Sequence, residues 1–280
     1  MSPAPVLAGI GLFIGYLLLM PVLWAKSVAL ALVVVATIGG YLAVGLGYYR
    51  HELFHSYYRP LTKPLYHLTS WLVFSDPQVF RIAHPLHHGA VHTHEDIEFF
   101  CERYATDPAR RRRQFILELL FGNAAWELLT LARLKRERKY YRPLGFLSFF
   151  CRAGLVALLC WVSSRLNPGS AGVYLLCYAL TLWWGAVVSR HNQWLEHLGI
   201  VSDGSFDERN LLTRNLPDTG ALNWLWNLYH RNDPREHVLH HTKAGLHSRV
   251  VPFELPEGTR FTSVAEYPAI LRQYWRTLHS

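Results

Sequence analysis

Four long stretches with almost no charge set the pattern of this chain. Leu7–Ala25, Val28–Tyr49 and Ala171–Ser189 carry no charged residue, and Leu144–Ser164 carries only Arg152. A helix needs about 20 apolar residues to cross the hydrocarbon core, so the pattern predicts spans over residues 5–25, 28–49, 144–164 and 171–190. The first stretch has neither a basic leader nor a small-residue cleavage site, so it reads as a span and not as a signal peptide. Shorter patterns lie between and after the spans. Leu65–Phe80 is apolar but short, with His67 and Asp76 inside it, and is predicted to lie along the interface. Phe115–Leu131 is amphipathic between basic runs at Arg110–Arg113 and Arg133–Arg142, which suits a helix in the headgroup plane. Asp203–Asp218 reads as loop, Ala221–His230 as a Trp-rich amphipathic piece, and Val264–Leu278 as a short helix.

Charge gives these spans an orientation. Of 28 Lys and Arg, 15 fall between Arg50 and Arg142 and 10 from Arg190 onward, leaving Lys26, Arg152 and Arg165. The positive-inside rule then places residues 50–143 and 191–280, with the N-terminus, in the cytoplasm. The spans become two hairpins with short outer turns at Lys26 and Asn167-Pro168-Gly169. The net charge of +8 is explained by topogenic residues and anionic headgroups, and no nucleic-acid partner is expected. The four cysteines, Cys101, Cys151, Cys160 and Cys177, form no C-x-x-C pair, which argues against disulfides, zinc ribbons and a fused rubredoxin-type centre.

The chemistry is carried by histidine, of which the chain has 16. His84-Pro85-Leu86-His87-His88 and His237-Val238-Leu239-His240-His241 share the spacing His-x-x-His-His, and His51-Glu52-Leu53-Phe54-His55 is His-x-x-x-His. Residues three and four apart share a helix face, so each group can aim two or three imidazoles at one spot. All three groups fall on the side assigned to the cytoplasm from charge alone. Eight histidines, or nine with His197, exceed what one ion takes and suit a two-metal site; imidazole alone does not name the metal. Glu52, Asp96, Glu196 and Glu236 stand next to these histidines and could orient them through the second ring nitrogen. Hydrogen-bonding or surface roles are expected for His92, His94, His191, His230 and His247, and no ligand role for His67 or His279. A competing reading is a membrane zinc metalloprotease, since His51-Glu52-His55 is also H-E-x-x-H; it leaves both His-x-x-His-His groups unexplained. A metal transporter would need ionisable groups deep in the spans, where only Arg152 is found.

The three boxes in this order, with two pairs of spans, resemble the membrane fatty acid desaturase and hydroxylase superfamily over residues 51–241. His51-Glu52-Leu53-Phe54-His55 and Leu195-Glu196-His197-Leu198-Gly199 are similar to motifs of its alkane monooxygenase branch, although Gln193 stands where that branch has Asn and the second box is one residue shorter. The resemblance implies one desaturase-like domain over residues 1–280, an all-α integral membrane protein of four transmembrane helices in two hairpins, with interfacial helices and a cytoplasmic histidine-rich cap. It implies a non-haem di-iron centre that uses O2 against an unactivated C–H bond of a lipid chain, with His197 as ninth ligand and Gln193 behind it. Fatty acyl desaturation is the expected reaction. Hydroxylation of an acyl, alkyl or terpenoid chain and oxidative decarboxylation to a terminal alkene share its first step. No donor domain is fused, so electrons would come from a separate ferredoxin, rubredoxin or cytochrome b5 type protein with its reductase. The lack of long loops points to a bacterial inner membrane.

Overall fold

The computed structural model describes residues 3–56, 60–98, 107–231, 233–242 and 254–279. It divides into two compact units, Met1–Phe80 with Glu127–Val188, and Arg81–Trp126 with Ser189–Ser280.

The first unit is built on apolar helices. Helix α1 (Pro3–Lys26) ends at Ser27, whose hydroxyl accepts from the Leu30 amide (3.2 Å) and caps α2 (Val28–Val34). A π-helical turn, Val35–Gly39, joins α2 to α3 (Gly40–His55), so the second apolar helix runs unbroken from Val28 to His55. At this turn Trp184 Nε1 donates to the Ala36 carbonyl (2.8 Å), and Tyr16 packs so closely on Gly39 that an added Cβ would sit 2.2 Å from its hydroxyl. The turn therefore tolerates glycine and almost nothing larger. Tyr16 also shares a hydrogen bond with Thr181 (2.8 Å). Helices α8 (Arg142–Leu166) and α9 (Ala171–His197) complete, among the described residues, the set of four helices long and apolar enough to cross a membrane. Large apolar side chains stand outward on them, Leu12 63%, Leu19 67%, Phe146 66% and Phe150 67% exposed. Exposure of this kind costs free energy in water and none in lipid. Chain and composition thus agree on an all-α membrane protein.

The helices depart from the sequence pattern in three places. The second span continues as helix through His55, as the helical spacing of His51 and His55 expects, whereas the one expected over 171–190 runs on to His197. The apolar stretch Leu65–Phe80 is two helices, α4 (Thr62–Leu72) and α5 (Pro77–Ala90), broken where Phe74 takes φ 53°. The amphipathic stretch Phe115–Leu131 is also two, α6 (Pro108–Phe121) and α7 (Asn123–Arg136), broken at Gly122 with φ 56°, a backbone state that glycine adopts at little cost.

Buried in the first unit, Asp76 receives the Tyr140 hydroxyl (2.5 Å) and lies 3.7 Å from the guanidinium of Arg152, which donates to the Phe74 carbonyl (3.1 Å). Glu127 accepts from the Asp76 amide (2.6 Å) and from Ser75, which in turn accepts from Arg50. The intramembrane Arg152 is thus neutralised within its own unit. Cys151, Cys160 and Cys177 are free thiols, and Cys101 lies outside the described residues.

In the second unit, helices α10 (Phe206–Leu211), α11 (Ala221–Tyr229), α12 (Asp233–Thr242) and α13 (Tyr267–Thr277) join α6 and the end of α9. The stretch read as loop before α11 contains α10, started by a reciprocal capping pair of Ser205 and Glu208. Arg214–Asn215 and Arg260–Phe261 pair as a short parallel ladder, β1 and β2. The core comprises Phe115, Trp194, Leu195, Leu198, Leu216, Tyr267, Tyr274 and Leu278.

Candidate metal centre

Helix α5 carries His84, His87 and His88, α12 carries His237, His240 and His241, and α9 ends on His197. In a helix the i and i+4 side chains nearly coincide in direction while i+3 lies to one side. Each box therefore presents a pair and a single. The two boxes exchange their singles. His84 and His88 meet His240, their ligand atoms lying within 4.8 Å of one another. His87 meets His197 and His241 under the same limit, and His197 also meets His237 and Glu196. The first group is half-buried apart from His84, and the second is buried throughout. The groups are adjacent: the rings of His88 and His241 stand 4.8 Å apart between centroids.

The donor atoms face inward at short range. The Nε2 atoms of His84 and His88 are 3.1 Å apart, those of His197 and His237 3.0 Å, and those of His237 and His241 3.2 Å. With a metal–imidazole bond of about 2.0–2.1 Å, as at zinc, ligands at roughly 90–110° place their nitrogens about 2.9–3.4 Å apart. The observed spacings fall in that range. Lone pairs converging in this way repel unless a cation or proton sits among them, and the donor set is one that first-row transition metals accept. Burial, followed by the neighbouring imidazoles, holds the His241 pKa well below the usual histidine value, which keeps the ring in the neutral form that ligation requires.

Other residues fix the outer nitrogens. Asp96 receives His87 Nδ1 at 2.9 and 3.0 Å, leaving Nε2 to point into the group. Burial would lower the His87 pKa, but the carboxylates of Asp96 and Glu98 outweigh it and raise the value. Glu98 lies 3.7 Å from His84 Nδ1, and its amide donates to Asp96 (2.9 Å). Asn192 donates to Glu196 (2.7 Å) and accepts from Trp226 Nε1 (2.8 Å), while the other oxygen of Glu196 stands 3.4 Å from His237 Nε2. Glu196 is therefore placed among the donor atoms and not only behind them.

Some sequence expectations find different places. Gln193, one position along from Asn192, accepts from Arg190 (2.9 Å), and it is Asn192 that reaches Glu196. The helix turns about 100° between these two positions, which separates their contacts. Glu236 lies 3.8 Å from Arg235, half-buried, where the backbone leaves helical geometry (φ −124°, ψ 15°) just before His237. His92, expected to hydrogen-bond, sits against His197 Nδ1 (2.9 Å). His191 pairs with the Tyr267 hydroxyl (2.7 Å), His230 packs on Trp226, His94 is exposed, and His247 lies outside the described residues. His67 packs beside Trp71 and His279 bonds the Trp275 carbonyl. In the first unit, His51 and His55 stand one turn apart at the end of α3, ring centroids 5.0 Å apart, with buried Glu52 3.5 Å from His51 Nδ1.

The sequence profile of the fatty acid desaturase family matches residues 26–257, which include every histidine of these boxes. The chain belongs to the fatty acid desaturase family. No curated protein and no solved structure matches it. Membership in the desaturase and hydroxylase superfamily makes the protein an oxidoreductase of lipid chains associated with the membrane, and its histidine groups are able to bind metal.

Proposed function

We propose that this desaturase-family chain uses O2 and two iron ions to remove hydrogen from an unactivated C–H bond of a lipid chain, with fatty acyl desaturation as the reaction. The observation that carries the proposal is the exchange of single histidines between α5 and α12. It supports two groups of donors, where one ion would leave half of them unused. In this reading His84, His88 and His240 hold one iron, and His51 and His55 are kept as expected ligands on the strength of their box spacing. His87, His197, His237 and His241 hold the other, with Glu196 beside them. Bound there, the irons would supply the oxygen activation that breaking such a C–H bond demands.

The chain supplies the rest. Asp96 and Glu98 hold the outer nitrogens on the α5 side, and the burial of His87, His197, His237 and His241 keeps water from that group. The four spans place the acyl chain in the hydrocarbon layer while its head stays at the cytoplasmic face. A separate ferredoxin, rubredoxin or cytochrome b5 type donor delivers electrons. Hydroxylation and oxidative decarboxylation begin with the same abstraction, so they are alternative outcomes on one scaffold.

Metal content of the detergent-purified protein, measured per chain by mass spectrometry, tests the centre. About two irons are expected, as in other two-metal sites. About one zinc and no iron, with exchange during purification excluded, would bring forward the His51-Glu52-His55 protease reading. Lipid extracts of an expressing host then distinguish a new double bond from a hydroxyl or a terminal alkene.

A further inference from the structure

Desaturation as proposed consumes two external electrons: –CH2–CH2– + O2 + 2 e⁻ + 2 H⁺ → –CH=CH– + 2 H2O. These must enter from a protein that docks somewhere on the chain. We infer that helix α13 and the arginine end of α6 form the docking face for an acidic one-electron carrier, an iron–sulfur or haem protein. We further infer that Trp275, Phe115 and Trp194 bridge that face toward His197. The inference rests on the oxygen-dependent reading above.

Charge supports the partner. Helix α13 has no acidic residue, and Arg272 and Arg276 are exposed on it beside Trp275. The α6 arginines Arg111 and Arg112 reach the last carbonyls of this region, Thr277 (3.3 Å) and Leu278 (3.2 Å), which adds two guanidinium groups to the same end. The acid within α6, Glu118, is fully buried against Arg190 and does not offset the patch. The caps Asp107 and Glu266 are exposed at the starts of α6 and α13, but they are outnumbered by the arginines. A net positive surface of this kind steers an oppositely charged partner and speeds its arrival.

The aromatic stack explains why the partner should carry electrons. Trp275 is 38% exposed, and its ring centroid lies 5.8 Å from that of Phe115. Phe115 stacks on Trp194 at 4.7 Å with their planes 7° apart, and Trp194 is 0% exposed. Trp194 stands three residues before His197 on α9, a spacing that brings side chains to about 5–6 Å between Cβ atoms. Electron tunnelling falls steeply with distance, so contiguous π systems from surface to ligand shorten the gap. A patch serving only anionic headgroups has no use for such a stack.

The test uses the full chain in zwitterionic nanodiscs and a strongly acidic [2Fe–2S] ferredoxin as probe. Binding is measured against salt, and the oxidation rate of reduced ferredoxin at saturation is divided by the rate with dithionite, a small reductant that needs no docking face. Arg272→Glu with Arg276→Glu should weaken ferredoxin binding about tenfold at low salt and flatten its salt dependence. Phe115→Leu, which keeps the core aliphatic, should leave binding as it is and slow electron delivery about tenfold. Unchanged binding in the charge-reversed protein overturns the docking face. So does unchanged ferredoxin binding with a lost preference for anionic over zwitterionic vesicles, which would make the patch a headgroup contact. Unchanged delivery in Phe115→Leu overturns the bridge. Absence of product with either reductant, while ferredoxin binding still follows the charges, would refute the catalytic reading and leave the docking face standing.

Discussion

Nδ1 of His197 lies 2.9 Å from Nε2 of His92, whose own Nδ1 lies 2.7 Å from the carbonyl of Arg209. A carbonyl only accepts, so His92 Nδ1 carries the proton and its Nε2 is the acceptor. His197 Nδ1 must then donate, which leaves His197 Nε2 as a bare lone pair pointing at His237. The relay fixes one tautomer of the histidine that stands outside the three boxes. Burial holds the His92 pKa down to about 4, so the relay stays in this neutral form.

His92→Phe keeps the ring volume and removes the acceptor. Metal affinity is expected to fall about 10–100-fold, the usual cost of losing the partner behind a ligating imidazole. Replacing His197 itself should reduce metal per chain far more. Competition with a graded chelator, read by mass spectrometry of the retained metal, checks both. Wild-type affinity in His92→Phe would show that the relay does not orient His197.

Much of this was legible in the sequence because its signals are local. Charge-free stretches near 20 residues give the four spans, and i, i+3, i+4 spacing gives the histidine groups. What local pattern could not give is which box member faces which group, because that depends on how α5 and α12 face each other. The hydrogen-bonding role of His92 was legible but its partner was not, because His197 lies 105 residues away. The end of the fourth span lies beyond where hydropathy places it, because apolar character stops at Arg190 while the helix continues to His197. The break at Gly122 had a signal, an isolated glycine inside an amphipathic run.

Arg190 and Glu118 form a buried ion pair at 2.5 Å, 1% and 0% exposed at their side chains. Arg190 also donates to the Glu98 carbonyl (2.5 Å), so it ties α6 to the segment that holds His84 and His87. Removing one partner leaves an uncompensated buried charge and is expected to cost about 3–5 kcal/mol, whereas Arg190→Met with Glu118→Leu should cost much less than the two single losses combined. Denaturant midpoints of the single and double variants form the cycle. Additive losses would mean that the pair is not coupled.

Asp76 is the counter-charge of Arg152 within the first unit, with Tyr140 as its further donor. Asp76→Ala strands a guanidinium that is 11% exposed, and about 3–5 kcal/mol of stability should be lost. Asp76→Asn keeps an acceptor for Tyr140 but not the charge, and should fall between. A thermal midpoint for Asp76→Ala equal to wild type would remove Asp76 from this role.

Glu127 bears on pH. Burial raises its pKa, outweighing the lowering by Arg50 and by its hydrogen bonds from Ser75 and the Asp76 amide. A carboxyl raised in the folded state binds its proton more tightly there than when unfolded. Its contribution is therefore complete below the ordinary carboxylate pKa and is lost as pH rises through the raised value. Glu127→Gln keeps an acceptor and removes the titration, so its stability should fall less than wild type over that rise. Parallel pH profiles of the two proteins would show that Glu127 does not titrate in this way.

Metal removal should be felt in the second unit. Converging imidazoles at 3.0–3.2 Å are relaxed by a bound cation, and a ligand present at 1,000 times its dissociation constant stabilises the state it binds by about 4 kcal/mol. Chelation should therefore lower the unfolding midpoint, and the loss should be reversed by restoring iron. His237→Ala with His241→Ala should start from a lower midpoint and respond less to chelator than wild type, keeping only the share of the ion held by His84, His88 and His240. The same chelator shift in wild type and in this double variant would mean that the stabilising ion is bound elsewhere.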